Sequence, residues 1–391
     1  MNYRVFSEKI DFKPSALGFG LMRLPLKEGQ CVDVAEAVRM IRYAIDQGVN
    51  YMDTAYIYHG GESEKILAKA LQDGYREKVK IADKMPMWML KEEGDLDKIF
   101  FEQLEKLQVK KIDFYLLHAL SKESFETIEK YKILEWLEKK KADGYIEYGG
   151  FSFHDDLDCL KKMVDLHEWD FCLLQVNIID NETPVGMEGV RYARAKGLGV
   201  VIMEPLRGGQ LTVSIPERID ALWDDMARMY GDVDALPVKY MLDWLWNNEE
   251  IGCIISGMSS FEQLAQNIEF GGKSGVNKLH REQLDLFAKI KDEYLGRLII
   301  NCTSCKYCKD CPKEIPIWHI FHLINEVKRY ENQRSPSFSY NFLSEDKRAK
   351  KCINCKICES LCPQRLEIVD LLKKCSLVFD EKRGFNKVFS N

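Results

Sequence analysis

The 391-residue chain has no uninterrupted apolar run of about 18 residues, so no stretch reads as a membrane-spanning helix. Its opening residues, MNYRVFSEKIDFK, are charged and carry no apolar segment of signal-peptide type, which leaves the cytoplasm as the expected location. It lacks a large excess of either charge. The 56 Lys and Arg against 62 Asp and Glu leave a net −6, which argues against nucleic acid as the main partner. Low-complexity tracts and collagen-like or coiled-coil periods are missing too, and 46% apolar with 30% charged residues is a globular composition. Also lacking is a G-x-G-x-x-G turn. The glycines at 18 and 20 run into Leu21-Met22-Arg23-Leu24-Pro25, which cannot open a helix.

What is present is an alternation of short apolar runs with amphipathic stretches. Strands are expected at 16–20, 49–52, 79–82, 114–117, 146–151, 173–176, 199–203 and 253–255. Between most of them apolar residues recur three and four apart, as in the helix expected over 34–47, closed by Gly48. Eight strands alternating with helices over roughly 250 residues match an α/β fold, the (β/α)₈ or TIM barrel, better than a doubly wound sheet. The pattern changes near residue 295. Residues 1–295 are therefore expected to form the barrel and 296–391 a second, helical domain, with helices at 317–330 and 367–375 and a polar loop around Ser335-Pro336-Ser337.

Catalytic side chains of such barrels come from the C-terminal ends of the strands, which open on one face. Asp53 ends the second strand and Tyr58 follows in its loop; Lys84 ends the third and His118 the fourth. A phenol titrates near ~10 when unperturbed. A neighbouring ammonium is expected to lower that value and ease proton exchange with an alkoxide, with Asp53 holding Lys84 and His118 orienting a carbonyl. Each residue alone is more often a surface or capping group; four at matching strand ends make coincidence a poor explanation. Met87 and Trp88, just beyond Lys84, fit either a pocket wall or the core.

The stretches GFGLMRLP, GVNYMDTAYIYHGGESE, IADK, DFYLLH, GYIEYGGFS, EPLRGG and ISGMSSFEQLAQN together resemble the aldo-keto reductase family over about residues 18–267. The resemblance implies a barrel that reduces a small carbonyl substrate with NAD(H) or NADP(H) bound in extended form. Asp53, Tyr58, Lys84 and His118 are then the catalytic tetrad, with Tyr58 the general acid. It further implies that Ser152 and Gln175 hold the nicotinamide carboxamide and that Pro205, Leu206, Arg207, Gly208 and Gly209 line the diphosphate. Ser256, Gly257, Met258, Gln263 and Asn267 fall at the adenosine end, and Gly20, Met22 and Arg23 complete the cofactor set. Three departures stand out. Phe153-His154 follows Ser152 where the family often has Asn, Met203 falls at the family's aromatic stacking position, and Gly257 and Gln263 replace the Lys and Arg that grip the 2′-phosphate. The last favours NADH, unless Arg207 compensates.

Eight of the thirteen cysteines form two runs. Cys302, Cys305, Cys308 and Cys311 follow C-x₂-C-x₂-C-x₂-C-P, and Cys352, Cys355, Cys358 and Cys362 follow C-x₂-C-x₂-C-x₃-C-P, the bacterial ferredoxin spacing. Two [4Fe–4S] clusters are expected, since in two-cluster ferredoxins the fourth cysteine serves the other cluster. One would rest on Cys302, Cys305, Cys308 and Cys362, the other on Cys352, Cys355, Cys358 and Cys311. Zinc on Cys₄ sites is the competing reading. The helical segment between the runs resembles α-helical ferredoxin modules, and a reductase barrel with such a tail resembles a subgroup of the family typical of anaerobes. Lys306, Lys309, Lys313, Lys347, Arg348, Lys350, Lys351 and Lys356 flank the runs. They suit docking of an acidic electron carrier such as a ferredoxin or flavodoxin, or equally a solvated face that offsets cluster charge.

Three functions follow. The first is an NAD(P)H-dependent carbonyl reductase whose clusters are structural or lead to a partner. The second is a ferredoxin-linked enzyme holding flavin, which would reconcile two-electron hydride with one-electron clusters. The third, a sensor with a dead site, has no use for Tyr58 and Lys84. The first is the reading adopted.

Overall fold

The computed structural model describes residues 1–27, 31–92, 94–182, 185–209, 211–212, 215–231, 236–297, 299–300, 302, 307–362 and 365–389. Its strands are β1 (Leu17–Gly20), β2 (Tyr51–Asp53), β3 (Lys80–Met85), β4 (Ile112–Leu120), β5 (Ile146–Phe153), β6 (Phe171–Gln175), β7 (Gly199–Met203) and β8 (Cys253–Ser256). Each pairs in parallel with its successor, and β8 pairs with β1 through Gly18↔Ile255, closing an eight-stranded barrel. The helix Val34–Asp46 joins β1 to β2, with Asp33 capping its N-terminus through the Glu36 N–H.

Side-chain parity is what positions the site. Tyr51, Ala82, Phe114, Leu116, Phe171 and Leu173 fill the barrel interior, while Met52, Ile81, Tyr115 and Leu117 face the helices. Because successive strand residues point to opposite faces, Asp53, Lys84 and His118 share the inward parity at the other end of the same strands. β3 and β4 run past Lys84 and His118, rather than ending there. On β4 the register shifts between Leu117 and Leu120, and Ala119 takes the left-handed conformation (φ 57°), a bulge that re-aims the strand beside His118.

The floor of the barrel is closed by the segment before β1. The Phe6 ring meets Phe114 edge-on at 5.4 Å and Tyr51 at 6.4 Å. Its bulk requires glycine opposite, since a Cβ added at Gly252 would stand 2.5 Å from the ring. Arg4 donates to the carbonyls of Ile251, Trp246 and Asn248 at 2.7, 3.0 and 2.6 Å.

The chain divides into two compact units, Met1–Gly208 with Ala235–Leu284, and Gly209–Asp234 with Asp285–Asn391. This division differs from a single cut at 295. The helices Glu217–Tyr230 and Arg281–Leu295 associate through Trp223 against Phe287 (6.0 Å) and Arg218 with Glu293 (3.2 Å), and Tyr294 packs against Tyr330 at 5.8 Å. In the second unit the helices Ile317–Tyr330 and Ile368–Phe379 bury Ile320, Phe321, Ile324, Leu372, Cys375 and Val378. The segment around Ser335-Pro336-Ser337 is not a loop but lies in the helix Arg334–Asn341, where Pro336 occupies the first turn and its missing N–H costs no helical bond. Among the described residues no helix is long and apolar enough to cross a membrane.

Candidate active site

Lys84 is 1% exposed and shares its three ammonium protons among three oxygens. It donates to Asp53 Oδ1 at 2.6 Å, to the Thr54 carbonyl at 2.6 Å and to Tyr58 Oη at 3.3 Å. Tyr58 opens a short turn, Tyr58–Gly61, in which His59 and Gly60 are left-handed, and the His59 ring accepts from the Leu24 N–H at 3.2 Å. The loop after β2 is thereby pinned to the loop after β1. The Tyr58 and His118 rings lie edge-to-face at 6.1 Å, and Trp88 covers His118 at 5.1 Å. Of the two residues placed in doubt, Met87 is buried and Trp88 is exposed beside His118.

Burial raises the Asp53 carboxyl above its usual range, and Lys84 pulls it back in part. Burial lowers the Lys84 ammonium, but Asp53 and Tyr58 raise it further, and the balance is upward. Burial also raises the Tyr58 phenol, outweighing the downward pull of Lys84. The expected lowering of the phenol is therefore reversed. Asp53 answers much of the ammonium's charge, so what remains does not offset desolvation. Burial drives His118 down to about 2, helped by Lys84 and His154. The imidazole is neutral, and its Nδ1 has no hydrogen-bond partner among the described residues.

Behind Lys84, on the helix-facing side of β3, lies a second titrating group that the sequence reading missed. Asp83 Oδ1 accepts from the Lys84 N–H at 2.8 Å. Its carboxyl is held well above the usual range by burial and by neighbouring Glu64, itself raised by burial despite Lys106 at 3.3 Å. An Asp at an outward position of a fully buried strand is the signal that could have shown it.

The residues assigned to a dinucleotide sit at the same ends of β1, β5, β6, β7 and β8. The Ser152 hydroxyl oxygen accepts from the Ala119 N–H at 2.7 Å, which leaves its proton to donate. Gln175 and Met203 are register partners at the ends of β6 and β7. Arg23 lies 3.8 Å from Glu204, and a Cβ added at Gly208 would run into its guanidinium, while one at Gly257 would stand 3.0 Å from its stem. A cation beside a glycine turn, with a hydroxyl donor and an amide nearby, fits a nucleotide diphosphate and a carboxamide. Met22 is exposed; Gly20 faces Ile255 and Ser256 of β8. Pro205 is buried, Leu206 half-buried, and Gly209 belongs to the second unit. Ser256 accepts from Asn267 at 3.2 Å with both buried, and the exposed Gln263 caps Ser259 at 2.9 Å. Met258 is 1% exposed and packed in the outer core, so it offers a ligand its backbone and not its side chain.

In the cysteine module, Cys305 lies outside the described residues. Cys302, Cys308, Cys311, Cys352 and Cys362 pack against the core of the second unit. Burial raises the Cys358 thiol to about 11, and Cys352, Cys311 and Cys355 all lie within electrostatic reach and add to the rise. A donor set of four sulfurs, with Cys311 drawn from the other run, fits an iron–sulfur cluster. Among the described residues no three His, Cys, Asp or Glu side chains converge closely enough for a single metal ion. Part of the surrounding basic charge is neutralised locally, Lys347 by Glu314 at 2.6 Å and Lys350 by Glu345 at 2.9 Å.

Comparison with known proteins agrees with this division of chemistry. Residues 301–367 match the model of a 4Fe-4S dicluster domain, which implies two clusters and displaces the zinc reading. Among curated proteins, the probable aldo-keto reductase 1 of Glycine max is 26% identical over 339 residues, covering 78% of this chain and 95% of that protein. The L-galactose dehydrogenase of Arabidopsis thaliana is 27% identical over 277 residues, 66% of this chain and 84% of its own. Two solved structures share the fold. An aldo-keto reductase from Bacillus halodurans in its holo form superposes with a TM-score of 0.58 at 24% identity, over 74% of this chain and 96% of that one. One from Klebsiella pneumoniae in complex with NADPH gives 0.59 at 21%, over 74% and 96%. Residues 16–290 match the model of the aldo/keto reductase family, and the chain, an oxidoreductase with a C-terminal dicluster domain, belongs to that family.

Proposed function

We propose that this chain reduces a small carbonyl compound, using a nicotinamide dinucleotide held at the mouth of the barrel. The observation that carries this reading is the 3.3 Å contact between Lys84 Nζ and Tyr58 Oη, with the ammonium fixed from behind by Asp53 and Thr54. A reduced nicotinamide supplies hydride when bound. Tyr58 gives its proton to the oxygen that gains charge, and Lys84 stabilises the phenolate left behind. Neutral His118 has one N–H to offer the same oxygen and orients the carbonyl.

For the nucleotide, two observations pull apart. Gln263 is turned to Ser259 and Arg207 to Asp180, which leaves the adenosine end, among the described residues, without the paired cations that favour NADPH and supports NADH. The NADPH complex of the Klebsiella relative supports the phosphorylated form. Comparing kcat/KM for the two nucleotides decides between them.

Tyr58→Phe is expected to cut nucleotide-dependent carbonyl reduction by about 10²–10⁴-fold while nucleotide binding persists; an unchanged rate would refute the role. With His118 neutral and the phenol raised, the rate is expected to stay flat through neutral pH and to fall only above the ordinary phenol range of about 10. The dicluster match favours a second reading, in which flavin beside Met203 passes single electrons to the clusters and on to a ferredoxin or flavodoxin. Release of stoichiometric flavin on denaturation would replace the first reading with this one.

A further inference from the structure

We infer that Asp180 is a positioning residue for nicotinamide recognition. Its carboxylate fixes which end of the Gln175 amide faces the cleft, and it restrains Arg207 alongside. The inference rests on the nicotinamide reading above.

A single carboxylate oxygen gathers three donors. Asp180 Oδ2 accepts from Gln175 Nε2 at 3.0 Å and from Asn177 Nδ2 at 2.8 Å, and Arg207 Nε lies 3.2 Å away. The loop after β6 is wound to bring it there. Asn177 Oδ1 accepts from the N–H groups of Ile179 and Asp180 at 3.0 and 2.9 Å, and Asn177 Nδ2 also reaches the Glu204 carbonyl at 3.2 Å. Asp180 is 9% exposed, so its bonds are poorly contested by water.

The chemistry of that contact is one-directional. An ionised carboxylate accepts and cannot donate, so Gln175 must turn its NH₂ toward Asp180. Its Oε1, which accepts and cannot donate, is then the end left for the cleft. Ser152 supplies the opposite polarity, because its oxygen is occupied by the Ala119 N–H and its proton remains to donate. One acceptor and one donor are the complement of a primary carboxamide, which carries an N–H pair and a carbonyl. Replacing Asp180 with Asn removes the constraint. An amide presents either a donor or an acceptor, so Gln175 is free to flip, and Arg207 loses the Asp180 charge.

The test uses the full chain with its clusters loaded, titrating NADH and, separately, ADP-ribose, which keeps the adenosine and diphosphate and lacks the nicotinamide. For Asp180→Asn the dissociation constant of NADH is expected to rise about tenfold more than that of ADP-ribose, which registers any effect through Arg207 at the diphosphate; tenfold is the scale of one charge-assisted hydrogen bond. Adding the substitution to a Gln175→Ala background should weaken NADH no more than it weakens ADP-ribose, since the effect on the nicotinamide runs through the Gln175 contact. Equal weakening of both ligands, or of neither, overturns the assignment. So does an additive loss in the double variant. Asp180→Glu guards against a folding defect: it keeps the charge and should recover NADH affinity, and failure to recover with an intact thermal midpoint counts against the inference. A wild-type chain that binds neither ligand overturns the nucleotide reading along with it, and is told apart from failure of Asp180 alone by that control.

Discussion

Lys84 and Asp83 are sequence neighbours with opposite surroundings, and the difference follows from one step along a strand. The inward Lys84 meets a carboxylate, a carbonyl and a phenol that all stabilise its charge. The outward Asp83 is buried beside the Glu64 carboxyl, so its charged form is disfavoured. A carboxyl raised in the fold keeps its proton while the unfolded chain loses it, so this group's contribution to stability declines as pH rises above the unfolded value of about 3.9. Asp83→Asn keeps the acceptor for the Lys84 N–H and removes that penalty. Its thermal midpoint is expected to exceed the wild type's by more at pH 8 than at pH 5. An equal gain, or a loss growing with pH, would show that Asp83 is ionised in the fold.

At the scale of elements, the strands were legible because each is a short apolar run bounded by turn residues, and buried parallel strands have that signature. Asp53, Lys84 and His118 were legible because inward parity carries through to the strand ends. What escaped the sequence lies where geometry depends on distant partners. The bulge at Ala119 has no glycine to announce it. The helix Arg334–Asn341 opens on Arg-Ser-Pro-Ser, which reads as a loop until the first-turn position of proline is known. Asp180 acts through residues that only the folded loop brings together. The sign of the Tyr58 shift required the depth of burial, which spacing does not encode. The packing of β7 and β8 on the floor yields a direct test. Gly252→Ala would drive a methyl to 2.5 Å from Phe6 and 3.2 Å from the Val200 carbonyl, and is expected to destabilise the chain by about 1–3 kcal/mol in denaturant titration. In a Phe6→Ala background, which alone costs about 3–5 kcal/mol, the same substitution should cost less, because the space is vacated.

For the whole molecule, the two units carry separate chemistries, hydride-scale acid–base groups in one and clustered thiols in the other. Cys358 lies within electrostatic reach of Cys352, Cys355 and Cys311, the last from the other run. Cys358→Ser and Cys311→Ser should therefore each lower iron from about eight atoms per chain to about four, and the double variant should fall no further. Cys375, buried in the core of the second unit, is a control whose replacement by Ala leaves iron unchanged. A double variant without iron would mean that the two cysteines serve different clusters.

The floor of the barrel also sets an order of events. Arg4 finds its carbonyl partners 242 to 247 positions further along the chain, and Phe6 needs the glycine beside them. During translation those early residues wait, uncommitted, until nearly the entire cylinder has left the ribosome. Closure is then a late, long-range search that links the head of the sequence to its last strand, and its rate is governed by topology more than by the strength of any one contact.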